Sequence, residues 1–158
     1  MSLRSICRMS RTNSPLLRDN KQEQIRRRKR IVAITLLLII AINALAAGYS
    51  FIVEPSGEGL GMNTGYLEHA PFRDFFIPGL VLFVVNGILS LIVAGLSIGR
   101  KRHHEDLIYT QGVLLSGWII VQIIMLRDFN WMHAVCLLIG FVLMRFGREL
   151  KVWAPDGD

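Results

Sequence analysis

The chain has only two cysteines and only twelve acidic residues against eighteen lysines and arginines. None of its long apolar runs holds an acid or a base near its middle. Each shortage excludes something. Cys7 lies in a polar, basic leading segment and Cys136 inside an apolar run, so no disulfide framework and no thiol metal cluster follows. Ion and proton pathways through membranes are built on intramembrane Asp, Glu or His, and at mid-depth the runs lack them. No nucleophile elbow, phosphate-binding glycine loop or zinc spacing is present, which leaves catalysis without a motif. The runs also lack the continuous polar stripe that every helix of a soluble bundle would show.

What is present is four apolar runs, at Ile31–Val53, Phe75–Ile98, Ile108–Leu126 and Trp131–Phe146. An α-helix rises about 1.5 Å per residue, so about twenty residues cross a hydrocarbon layer of about 30 Å. The first two runs meet that length, the third barely does, and the fourth is short. Trp131 is placed to anchor the outer end of the fourth, with Arg145 and Arg148 snorkelling inward. Threading the runs in order puts ten basic residues, Arg4 to Arg30, on the same side as Arg100, Lys101, Arg102, Arg145, Arg148 and Lys151. Only Arg73 and Arg127 fall on the other side. By the positive-inside rule this predicts an all-α, membrane-embedded four-helix bundle with both termini cytoplasmic. Residues 1–30 read as a basic tail, its polar part disordered; residues 31–150 as the membrane domain; residues 151–158 as a short second tail.

The block Arg26-Arg27-Arg28-Lys29-Arg30 abuts the first run. Its density suits a topological anchor and contact with anionic lipid, at about 1 kcal/mol per charge near the surface. The high pI of about 9.9 is accounted for in this way, without nucleic acid as a partner. Ala44-Leu45-Ala46 resembles a signal-peptidase site, yet the apolar run continues unbroken to Val53 behind a thirty-residue lead, which favours a retained span. His103-His104-Glu105-Asp106 reads as a solvated charged loop rather than a metal site.

Helical spacing sorts the polar residues of the runs into faces. Asn43, Ala47 and Ser50 form one; Asn86, Ser90, Ala94 and Ser97 the second; Gln111, Leu115, Trp118, Gln122 and Met125 the third; His133, Cys136, Gly140 and Met144 the fourth. Each is suited to point inward. Small residues let helix backbones approach, and Asn or Gln bridges neighbours for about 0.6 kcal/mol each. Gly95 with Gly99, Gly112 with Ser116 and Cys136 with Gly140 add small-xxx-small pairs. These serve the packing of one chain or of two copies.

Between the first two runs lies a segment of about twenty residues, long for a connection that four residues could make. Its first half is rich in glycine; its second half offers Tyr66, Leu67, Phe72, Phe75 and Phe76. It is predicted to be structured and to fold over the outer mouth of the bundle. That would bring Glu68, His69, Arg73 and Asp74 towards Gln122, Arg127, Asp128 and His133, as a set of ion pairs pinning a lid or as a pocket for a lipid or small amphiphile. A carboxylate beside a histidine also suits proton transfer, with His69 or His133 as carrier.

The strings Pro55-Ser56-Gly57-Glu58-Gly59-Leu60-Gly61-Met62, Pro71-Phe72-Arg73-Asp74-Phe75-Phe76-Ile77-Pro78-Gly79, Val85-Asn86-Gly87 and Trp118-Ile119-Ile120-Val121-Gln122-Ile123-Ile124-Met125 resemble a family of small bacterial four-span membrane proteins without assigned function. The resemblance covers about residues 31–150. It implies a place in the bacterial cytoplasmic membrane and carries no reaction, cofactor or site residue. The expected role is a non-catalytic component that binds lipid or a partner, be it a second copy or another membrane protein. The alternatives are a membrane-embedded enzyme acting on a lipid-like substrate at the outer leaflet and, third, a small transporter marked by a water path past Asn43 and Asn86.

Overall fold

The computed structural model describes residues 3–61, 65, 72–101, 103–126 and 130–152, and every regular element among them is helical. Helix α1 spans Leu3–Val53, followed by a single 3-10 turn at Glu58–Leu60. Helix α2 spans Phe76–Ile98 and is interrupted by a π-helical segment at Leu82–Ile88. Helix α3 spans His104–Leu126 and helix α4 Trp131–Val152. Three stretches, Arg18–Val53, α2 and α3, are long and apolar enough to cross a membrane. In α4 the inner third carries Arg145, Arg148, Glu149 and Lys151, which shortens its apolar part.

Helix α1 does not start at Ile31 as the sequence predicts, but continues back through the basic segment to Leu3. Around Lys21–Arg30 the chain consists mainly of Lys, Gln, Glu and Arg, straight side chains that lose little freedom in a helix. Extending a helix already nucleated adds one hydrogen bond for each residue fixed. The charged ends of α3 and α4 are helical for a related reason. Glu105 and Asp106 sit in the first turn of α3 and Lys151 in the last turn of α4, each matching the sign that the helix dipole favours.

The helices pack chiefly as two hairpins, α1 with α2 and α3 with α4. In the first, a Cβ added at Gly48 would lie 2.8 Å from the Phe83 Cβ and 2.9 Å from the Gly79 carbonyl oxygen. In the second, one at Gly112 would lie 2.7 Å from the Gly140 carbonyl oxygen and 2.9 Å from the Met144 nitrogen. Backbone meets backbone in both, which only small residues allow. Gly95, by contrast, has open space around it, so the Gly95–Gly99 pair is not a contact within the chain.

Three of the four predicted faces are turned inward. Asn86, Ser90, Ala94, Ser97, Gln111 and Leu115 are buried, and Trp118, Gln122, His133, Cys136 and Met144 are half-buried. The face assigned to α1 differs: Asn43 is exposed, and the buried line is Ala33, Leu37, Ile40, Ala41, Ala44, Gly48 and Phe51. The smaller residues on that line permit the close approach to α2. The Asn43 amide instead donates to the Ile39 carbonyl of its own helix at 2.8 Å, and Thr35 and Ser50 bond back in the same way. Such local bonds satisfy polar donors without a neighbouring helix.

Gly112→Ala is expected to destabilise the α3–α4 hairpin by about 1–3 kcal/mol, the range for overpacking. Gly117→Ala, with nothing within 4 Å of the added Cβ, should leave stability unchanged or slightly raised. Unfolding titrations in mixed detergent micelles check both.

Candidate functional site

At the end where α2 and α4 begin, which the sequence reading takes as the outer one, Glu68 and His69 lie outside the described residues, as do Arg127 and Asp128. Arg73 is exposed. The Asp74 Oδ1 accepts the Phe76 N–H at 3.1 Å, which starts helix α2. The His133 Nδ1 accepts the Asn130 N–H at 3.1 Å, which does the same for α4. Gln122 is half-buried on the α3 face that carries Trp118. Asp74 and His133 thus each serve a local turn. Among the described residues an apolar group gathers at this end: the Phe51 and Phe75 rings stack with centroids 5.0 Å apart, and Met125 and Leu126 pack beside them. The Phe75 N–H donates to the Pro55 carbonyl at 2.9 Å, so the two ends of the long connection are tied together.

Charges meet at the opposite end, where α3 begins and α4 ends. Arg26 of α1 pairs with Glu105 of α3 at 3.4 Å, and Lys29 of α1 with Glu149 of α4 at 2.6 Å. Arg145 reaches Glu149 at 3.1 Å, and Lys151 reaches Asp106 at 2.8 Å. Arg148 donates to the Tyr109 hydroxyl at 2.9 Å, its guanidinium 4.9 Å from the centroid of that ring. His104 is buried rather than solvated, with Nδ1 2.9 Å from the Lys101 carbonyl oxygen and 3.1 Å from Glu105. Helices α1, α3 and α4 are thereby held in one ionic collar.

The basic block divides over this collar. Arg26 and Lys29 face the bundle, while Arg27 and Arg28, on the other side of the same helical turns, are exposed. Arg30 is half-buried. The inner loop adds to the positive charge. Arg100 takes a left-handed conformation at φ 48 where the end of α2 closes with the Lys101 N–H on the Leu96 carbonyl at 3.1 Å. Glycine is the usual residue in that position.

Of the collar's acceptors, Glu149 and Tyr109 were not among the residues singled out from the sequence, and Glu105 and Asp106 were read there only as part of a solvated charged loop. A signal existed: three acids stand among basic residues at the inner ends of the apolar runs. Spacing along one helix does not reveal which cation on another helix each acid meets.

A second polar group lies deep between the helices. In the π-helical segment of α2, the Leu89 N–H pairs with the Val84 carbonyl, five residues back. The Val85 carbonyl accepts instead from the Gln111 Nε2 of α3 at 3.0 Å. Asn86 and Ser90 are fully buried, and Gln111 is 1% exposed.

Glu149 is held below its ordinary value of 4.5, first by the hydrogen bond from Lys29 and then by that from Arg145, against the opposing effect of burial. A carboxylate with a depressed folded-state pKa stabilises fully above its ordinary value and loses that contribution as pH falls through the lower folded one. Detergent-resistant stability should therefore be level above about pH 5 and drop as the pH falls through the carboxylate range, and Glu149→Gln should flatten part of that drop. A pH series of unfolding titrations reads it directly.

No protein-family model, no curated protein and no solved structure matches the chain.

Proposed function

We propose that the protein is a four-span component of the bacterial cytoplasmic membrane with both termini cytoplasmic. It is non-catalytic and binds anionic lipid at its inner face. One observation carries this reading. The collar engages Arg26 and Lys29 in ion pairs within the chain and leaves Arg27 and Arg28 exposed beside the start of the apolar stretch. Successive residues of a helix point about 100° apart, so with Arg26 and Lys29 on the bundle face, Arg27 and Arg28 are turned towards the surroundings of the bundle. Cations exposed at headgroup depth attract anionic lipid, and Arg forms paired hydrogen bonds with phosphate oxygens. Further support comes from the shared end at which Arg26, Lys29, Arg145, Arg148 and Lys151 meet, as alternating helices with inner basic loops require.

Native mass spectrometry of protein reconstituted in mixed phosphatidylglycerol and phosphatidylcholine tests the binding. The wild type should retain phosphatidylglycerol. Arg27→Gln with Arg28→Gln should retain it about thirtyfold less, since two charges at about 1 kcal/mol each are removed, with folding unchanged. Equal retention of the two lipids, or retention indifferent to the double change, would sink the proposal and move the search to a protein partner of the same surface. For the topology, a cysteine placed at Ser56 should react with an impermeant thiol reagent from outside intact cells and one placed at His103 should not. The reverse pattern would overturn the orientation.

A further inference from the structure

The collar accounts for the charged groups of α1, α3 and α4, but not for the polar group in the interior. The Asn86 side chain is fully buried, and neither its Oδ1 nor its Nδ2 has a hydrogen-bond partner. The same holds for the Oγ of the fully buried Ser90 and for the Oε1 of Gln111, which is 1% exposed. Asn86 and Ser90 stand one turn apart on a single face of α2. Gln111 is brought to them from α3 by its bond to the Val85 carbonyl, which fixes the amide and leaves its oxygen beside the Val85–Asn86 peptide. Four unpaired polar atoms are thus buried within about one turn of α2, near the point where Gln111 of α3 meets it.

Burying such groups without partners is strongly unfavourable, and more so where the surroundings are hydrocarbon. Native structures leave few of them, and each calls for an explanation such as a bound molecule. The backbone here adds a second indication. The π-helical segment that contains Asn86 is a rare deformation that is frequent at functional sites.

We infer that Asn86, Ser90 and Gln111 form an internal binding site for a small uncharged hydrogen-bonding molecule, of which water is the type. The chemistry selects that class. The site offers donors in the Asn86 amide N–H groups and the Ser90 hydroxyl, and acceptors in the Asn86 and Gln111 amide oxygens and again the Ser90 hydroxyl. A guest that both donates and accepts satisfies all three residues, and a buried water typically makes about three such bonds. A metal cation would meet only neutral oxygens and would be repelled by the amide N–H groups. An anion would meet two carbonyl oxygens. The unpaired indole N–H of Trp118, two turns further along α3 on the Gln111 face, extends the same polar seam towards the outer end.

The test is radiolytic hydroxyl labelling of the wild-type protein in phosphatidylcholine nanodiscs, in water enriched in oxygen-18. Radicals form where water is held, so Asn86 and Ser90 should incorporate solvent oxygen several-fold above Val93 and Leu143, which are as deeply buried in apolar surroundings. The labelling should be the same in sodium, potassium and choline salts. Ser90→Ala, which introduces no bulk, should shift the unfolding equilibrium several-fold towards the unfolded state, because it removes a partner from the guest. Labelling no higher than at Val93 and Leu143 would overturn the site. So would a stabilised Ser90→Ala, the result expected of a hydroxyl with nothing to bond. Labelling that depends on the cation would overturn the neutral guest.

Discussion

Inside hydrocarbon a backbone carbonyl has no water to turn to, so each break in a helix must be answered by another part of the chain. The bond from Gln111 to the Val85 carbonyl is that answer here. The π-helical segment of α2 passes over one carbonyl, and a side chain from α3 supplies the donor that the helix withholds. A single bond thereby fixes the height of α3 against α2. It also sets the depth of Asn86 and Ser90 and locates the polar group relative to the inner collar.

The collar and this bond add direction to a contact between hairpins that is otherwise apolar. Within each hairpin the contacts are close and largely apolar, with backbone against backbone at Gly48 and Gly112. Between hairpins one apolar cluster joins Leu37 and Val93 to Ile108, Leu115 and Leu143, and three polar bonds cross the same seam: Gln111 to Val85, Arg26 to Glu105, Lys29 to Glu149. Apolar surfaces in lipid have little preference for one another. Directional bonds do, and they set one arrangement among the several that the apolar faces allow.

How much of this could be read in advance depended on the kind of signal. Apolar length marked the helices, and the periodic placing of Asn86, Ser90, Ala94 and Ser97 marked the buried face of α2, because burial repeats with the helical turn. The same reasoning failed for Asn43. An Asn that bonds its own helix needs no neighbour, and a line of Ala and Gly made a better packing surface than the polar one. The helical state of residues 18–30 was hidden by their polarity, though their side chains are good helix formers. The π-helical segment left no trace in composition, since it is a choice of backbone register within an apolar run. For the outer cluster, Asp74 and His133 were picked out as chemical groups, and in the structure both work as helix starts, a role that short-range spacing alone is too common to single out.

The two-hairpin arrangement has a consequence for how the chain comes together. The five residues 99–103 are the only covalent link between two units that each close over a short stretch of sequence and satisfy most of their packing locally. Local closure costs little loop entropy, so each hairpin is able to form as it leaves the insertion machinery, before the other exists. The link then matters for stoichiometry more than for structure: it delivers the two halves in equal number and holds them near each other. A chain severed there would still carry the full recognition code, its halves finding each other through the shared apolar cluster, the collar and the interior bond.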